Sequence, residues 1–249
     1  RELNYISDVD VIFVHSSALA DGHRSATIAT ALAAGISRYV TAAAPEPGLW
    51  EVDANLRPEG KDGALVRTLE SHLAYYERWA KSWEFQALIK ARPLAGDSDL
   101  GDRYVASIAP KVWSSASRDG FVEGVQRMRE RVTENIPADD VDVQLKLGPG
   151  GLRDIEFTIQ LLQLVHGQTD DAVHQRGTLA ALEALAAIYR KGGAYKELSL
   201  VMKRQVALEK NPAAQVQLLF ALHREQECRH RPERCARSRR GPGQSVNSH

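Results

Sequence analysis

From Val9 to Val14 the chain runs Val-Asp-Val-Ile-Phe-Val, an apolar stretch with strand character that Asp8 opens and Asp10 interrupts. The pattern predicts a strand over Asp8 to His15. Ile28, Leu32, Ile36 and Val40 then recur at four-residue spacing, which predicts a helix over Arg24 to Ala43. After the turn signal Pro45-Glu46-Pro47-Gly48, the stretch Leu49 to Pro58 alternates polar and apolar residues. As a strand it would place Glu51, Asp53, Asn55 and Arg57 on one face and Val52, Ala54 and Leu56 on the other. Helical spacing returns over Thr68 to Ala95, Ser98 to Ser115 and Phe121 to Asn135. Val141 to Leu147 reads as a short strand before the turn Gly148-Pro149-Gly150-Gly151, followed by helices at Leu152 to His166 and Thr178 to Tyr189. Val201 to Glu227 is compatible with helix, whereas Arg229 to His249, rich in Arg, Pro, Gly and Ser, is expected to be disordered. Strand, helix, strand at the start indicates an α/β core, with helices after it and no internal repeat.

The charges inside the first strand change the picture. Residues two apart on a strand share a face and lie about 6.5 to 7 Å apart, so Asp8 and Asp10 can both reach a pair of metal ions. Ser7 starts that strand at a polar, accessible edge. Unpaired carboxylates are costly to bury unless a cation or hydrogen-bond donors meet them, although a plain strand start with solvated carboxylates would show the same residues. Asp53, on the second acidic strand, is a candidate third ligand, and an oxygen-only set suits Mg²⁺ or Mn²⁺ better than zinc. Arg57 shares Asp53's predicted face and has the forked guanidinium that suits phosphate; the competing reading is a surface ion pair.

The chain has 249 residues, enough for one large or two modest domains, and a net charge of zero. That balance is uneven: residues 191–249 hold 12 Lys and Arg against 5 Asp and Glu, leaving 20 against 27 in residues 1–190. An acidic main body argues against a general nucleic-acid binder. Without a long apolar run or a leader, the expectation is a soluble cytoplasmic protein that engages no membrane. The two cysteines, Cys228 and Cys235, lie in the Arg-rich end and cannot staple the body; with His223 and His230 they fit no standard zinc spacing. Gly148-Pro149-Gly150-Gly151 lacks the Lys-Ser or Lys-Thr pair of a phosphate loop, and Ser16-Ser17 lacks a nucleophile elbow. Lys90 and Arg92 close a segment marked by Trp83 and Ala87, where cations complement a helix C-terminus.

Four segments, in order, carry a resemblance: Glu2-Leu3-Asn4 through Ser7-Asp8-Val9-Asp10; Val52-Asp53-Ala54-Asn55-Leu56-Arg57-Pro58-Glu59-Gly60; Trp83 to Arg92; and Lys146-Leu147-Gly148-Pro149-Gly150-Gly151-Leu152-Arg153-Asp154-Ile155-Glu156-Phe157. Over about residues 1–190 the chain resembles the nucleotidyltransferases that modify glutamine synthetase, the bifunctional adenylyltransferase/adenylyl-removing enzymes. Members of that family are far longer, so the resemblance implies a piece of such an enzyme that begins after the family's Gly-rich turn. It implies a small mixed sheet carrying the three aspartates, packed with helices and followed by a helical domain. The implied layout is a catalytic domain over 1–120, a helical connector over 121–190 and a poorly matching basic tail over 191–249. Asp8, Asp10 and Asp53 would be catalytic metal ligands, and Ser7, Arg57, Lys90 and Arg92 would face nucleotide or phosphate. Because Lys146 to Phe157 resembles the connector after the family's N-terminal domain, the implied reaction is removal of AMP from a tyrosine of glutamine synthetase, with phosphate consumed and ADP released. Adenylyl transfer from ATP is the alternative in the same class. A catalytically inert module that binds glutamine synthetase or a P-II-type nitrogen sensor is the alternative in another.

Overall fold

The computed structural model describes residues 8–16, 22–41, 50–134, 136, 148, 151–209 and 211–230. Ser7, the Pro45–Gly48 turn, the expected strand Val141–Leu147, Cys235 and the last nineteen residues of the expected disordered tail lie outside them. The chain divides into two compact units, Arg1–Val143 and Gln144–His249.

In the first unit the expected strand from Asp8 to His15 is two short pieces, β1 (Val9–Asp10) and β2 (Phe13–His15). Each has a different parallel partner. β1 pairs with β3 (Val52–Asp53), setting Val9 beside Val52 and Asp10 beside Asp53; β2 pairs with β4 (Val66–Thr68), setting Phe13 beside Val66 and His15 beside Thr68. The intervening helix α1 (Gly22–Thr41) packs on β2, β3 and β4. Its buried positions are Ser25 and Ala33, small residues that allow a close approach to strands. The four-residue stripe that marks the helix in sequence faces outward instead, with Ile28, Leu32 and Ile36 each about half or more exposed.

Two sequence expectations need correction. The acidic strand predicted over Leu49 to Pro58 contracts to Val52–Asp53, because the backbone turns immediately afterwards. The helix predicted from Thr68 to Ala95 is α2 (Leu69–Arg78) and α3 (Ser82–Leu88), preceded by the unpredicted strand β4. Thr68 ends β4 with extended backbone, and its hydroxyl accepts the Ser71 N–H at 3.2 Å, capping α2. The Glu84 carboxylate accepts the Lys81 N–H at 2.9 Å and so restarts the helix as α3 after the break. The next helix, α4 (Ser98–Trp113), is capped by Asp97, whose Oδ1 accepts the Leu100 N–H at 3.1 Å. It packs on α2 and α3 through Tyr76, Phe85, Tyr104 and Ile108, all buried. The Tyr76 and Tyr104 hydroxyls meet at 3.0 Å, which satisfies both inside that apolar layer.

Helix α5 (Phe121–Glu134) packs on α3, where a Cβ at Gly124 would come within 3.0 Å of Ser82 Oγ. The expected boundary at residue 121 therefore falls inside the first unit.

The second unit consists, among the described residues, of α6 (Leu152–His166), α7 (Thr178–Lys191), α8 (Tyr195–Leu208) and α9 (Pro212–His230), each packed on the next. Ile159, Leu182, Leu185, Leu198, Val201 and Met202 form its core. Gln163 is buried and donates from Nε2 to the Val173 and Gln175 carbonyls, both at 2.7 Å, which ties the α6–α7 connection to the bundle. Leu198, Val201, Met202 and Leu222 come from the stretch expected as a basic tail, which therefore contributes core residues as far as Leu222. No helix among the described residues is long and apolar enough to cross a membrane.

Candidate metal centre

The β1–β3 ladder sets the site. Val9 N–H donates to the Glu51 carbonyl and Val11 N–H to the Asp53 carbonyl, each at 2.8 Å. This fixes the register that puts Asp10 beside Asp53, and strand alternation returns Asp8 to the face of Asp10. One carboxylate oxygen from each of Asp8, Asp10 and Asp53 lies within 4.8 Å of the other two. Asp8 and Asp10 are exposed and Asp53 is half-buried. Three like charges this close repel unless a cation or a proton intervenes. All donors are hard carboxylate oxygens, the chemistry that Mg²⁺ and Mn²⁺ take. The donor set fits a divalent cation.

Asp53 is held from both sides. The Thr41 hydroxyl at the end of α1 accepts the Val52 N–H at 3.3 Å, and the Asn55 N–H donates to Asp53 Oδ1 at 2.7 Å. The second contact is an Asx-type turn that fixes the orientation of the Asp53 carboxylate.

Beyond Asn55 the loop folds around Arg57. Its Nη1 donates to the Ala54 carbonyl at 2.8 Å, Nη2 to Lys61 at 3.0 Å and Nε to Gly63 at 3.1 Å, with Asn55 Oδ1 a longer 3.5 Å from Nη1. Arg57 thus leaves the strand face predicted for it. Glu59 and Gly60 carry positive φ of 64° and 60°, and Glu59 pairs with Arg67 of β4. Lys90 is half-buried and Arg92 exposed, and both follow α3, whose packing partners include α4 and α5. Ser7 lies outside the described residues.

Sequence patterning missed a buried polar group beside β4. His72 is 1% exposed and donates from Nδ1 to the Thr68 carbonyl at 2.9 Å; its Nε2 is buried without a hydrogen-bond partner among the described residues. Burial, with Arg67 and His15 adding repulsion, holds its pKa below the ordinary histidine value. Burial likewise raises the Glu84 carboxyl, although the Lys81 N–H and the Tyr75 hydroxyl at 3.2 Å both donate to it. The signal for the Asp53 turn was legible as Asp-Ala-Asn ahead of Pro58 and Gly60, a turn grammar that the alternating pattern masked.

Comparison with known proteins meets this geometry. Residues 1–106 match the glutamate-ammonia ligase adenylyltransferase family, and residues 125–206 match the PII-uridylyltransferase family. A bifunctional glutamine synthetase adenylyltransferase/adenylyl-removing enzyme from Leifsonia xyli subsp. xyli is 70% identical over 189 residues, which is 75% of this chain and 19% of that protein. Proteins of the same name from Streptomyces coelicolor and Cutibacterium acnes are 61% and 54% identical, again over 75% of this chain and 19% of their own lengths. The chain spans about a fifth of the length of these relatives. Over three quarters of its length the chain is similar to these bifunctional enzymes, and within that stretch residues 1–106 carry the match to the glutamate-ammonia ligase adenylyltransferase family.

Proposed function

We propose that Asp8, Asp10 and Asp53 hold divalent cations for phosphate-dependent removal of AMP from a tyrosine of glutamine synthetase. The single observation that carries the metal site is the convergence of the three carboxylates, within 4.8 Å, in a segment matching the adenylyltransferase family, and the removal direction rests on the resemblance of Lys146 to Phe157 to the family's connector. Bound Mg²⁺ or Mn²⁺ would supply charge neutralisation on the attacking and leaving oxygens of an in-line displacement at phosphorus.

The chain's own residues do the rest. Asp8 and Asp10 offer exposed oxygens on one strand face, and the Asn55 N–H fixes the angle of Asp53. Ser7, Lys90 and Arg92 are assigned to nucleotide and phosphate by the family resemblance. An oxygen of inorganic phosphate bonds to the adenylyl phosphorus as the bond from phosphorus to the tyrosyl oxygen breaks. The proton of the phosphate passes to that oxygen, and ADP leaves. The relatives' name carries both directions, so adenylyl transfer from ATP at the same three acids is the alternative. Glutamine synthetase is the proposed partner because the relatives are named for it, and a P-II-type nitrogen sensor is a second because residues 125–206 match a family named for that protein.

The test is ADP formation from labelled phosphate and adenylylated glutamine synthetase, with this chain and Mg²⁺ or Mn²⁺. The expected result is label in ADP that requires metal and disappears in the Asp8→Asn, Asp10→Asn double variant. Phosphate-dependent removal that survives the double substitution, with AMP attachment from ATP lost, would promote the alternative.

A further inference from the structure

The geometry points to Arg57 as a positioning residue that holds the metal-ligating angle of Asp53 through the loop 54–63, and not as a phosphate ligand. The inference rests on the proposed metal site and adds to it the part that keeps Asp53 in place.

A guanidinium grips phosphate with two parallel N–H groups. In Arg57, Nε and both terminal nitrogens each donate to a backbone carbonyl, at Gly63, Ala54 and Lys61, within 3.1 Å. Those acceptors lie at the two ends of one loop. Ala54 adjoins Asp53, while Lys61 and Gly63 lie at the far end, just before β4 begins at Val66. One planar fork therefore clamps the loop's exit to its entry. The Asn55 N–H that bonds Asp53 Oδ1 at 2.7 Å sits within the clamped turn.

Three further features show that the loop is built to this shape. Arg57 N–H donates back to the Ala54 carbonyl at 3.3 Å, and Gly60 N–H to the Arg57 carbonyl at 2.9 Å. Glu59 takes a left-handed backbone, φ 64°, that non-glycine residues adopt at a cost. A Cβ on Gly63 would sit 2.1 Å from the Pro58 carbonyl oxygen, so only glycine fits there. Lysine would keep the charge of Arg57 but not the planar fork whose three nitrogens reach the Gly63, Ala54 and Lys61 carbonyls.

The experiment measures Mn²⁺ affinity of the 249-residue chain in the absence of phosphate, by the loss of the free Mn²⁺ signal in electron paramagnetic resonance. The variants are Arg57→Lys, Arg57→Ala, Gly63→Ala and Asp53→Asn, each checked by circular dichroism and thermal melting. Arg57→Lys and Gly63→Ala are expected to weaken Mn²⁺ binding about 10- to 100-fold, the range for residues that orient a metal ligand. Where Arg57→Ala fails to fold, these two carry the test, since one keeps the charge and the other leaves Arg57 untouched. A residue that merely stabilised the fold would lower the melting temperature and leave Mn²⁺ affinity alone. Arg57→Lys binding Mn²⁺ within about twofold of wild type, while Asp53→Asn loses it, overturns the positioning role and spares the metal site. No saturable Mn²⁺ binding by the wild-type chain overturns both.

Discussion

Asp8 is exposed and within 4.8 Å, oxygen to oxygen, of two other carboxylates, so on the proposed reading its charge favours a bound cation at the expense of the metal-free fold. Asp8→Asn should therefore melt at a higher temperature than wild type in chelator, and should lose the rise in melting temperature that Mn²⁺ gives the wild type. His72 makes a second prediction at this scale. Burial, the largest cause, holds its folded-state pKa below the ordinary 6.5, so the folded chain takes up the proton less readily than the unfolded one. The stability tied to neutral His72 is complete above about pH 6.5 and falls as the pH drops from there toward the folded-state value. Thermal melts between about pH 7 and pH 5 should show that decline, and His72→Phe should flatten its His72-dependent part.

At the scale of elements, the loop between β3 and β4 carries the most information. Gly63→Ala should open it and lower the melting temperature of the first unit, because the added methyl meets backbone rather than a flexible side chain. In the second unit, Leu185 on α7 is fully buried in the helical core. Leu185→Ala should cost about 2 to 5 kcal/mol in denaturant unfolding. Elements written in local code were legible from sequence, such as α4, expected over Ser98 to Ser115, and the strand start at Asp8. Those set by tertiary partners were not. β4 is three residues that become a strand because β2 lies beside them, and the break between α2 and α3 depends on Glu84 folding back to the Lys81 N–H. The strand face read for Arg57 failed because the alternation over Leu49 to Pro58 matches a turn as well as a strand once Asp53 and Asn55 bond each other.

At the scale of the molecule, periodicity gave an α/β start and a helical continuation, and the two units agree with it. The division after Val143, in place of the one expected at residue 121, was not legible, because only packing shows that α5 belongs with α3. The basic composition of residues 191–249 likewise hid the apolar positions, Leu198, Val201, Met202 and Leu222, that carry α8 and α9 into the core. The convergence of the acids was readable because residues two apart on a strand share a face, a constraint that packing cannot relax. The central claim is that these acids form one divalent-cation centre, and a crystal of the chain grown with Mn²⁺ tests it most directly. Anomalous scattering should show manganese bonded at about 2.0 to 2.3 Å to oxygens of Asp8, Asp10 and Asp53. Manganese bound elsewhere in the chain, with these three carboxylates bare at saturating Mn²⁺, would contradict it.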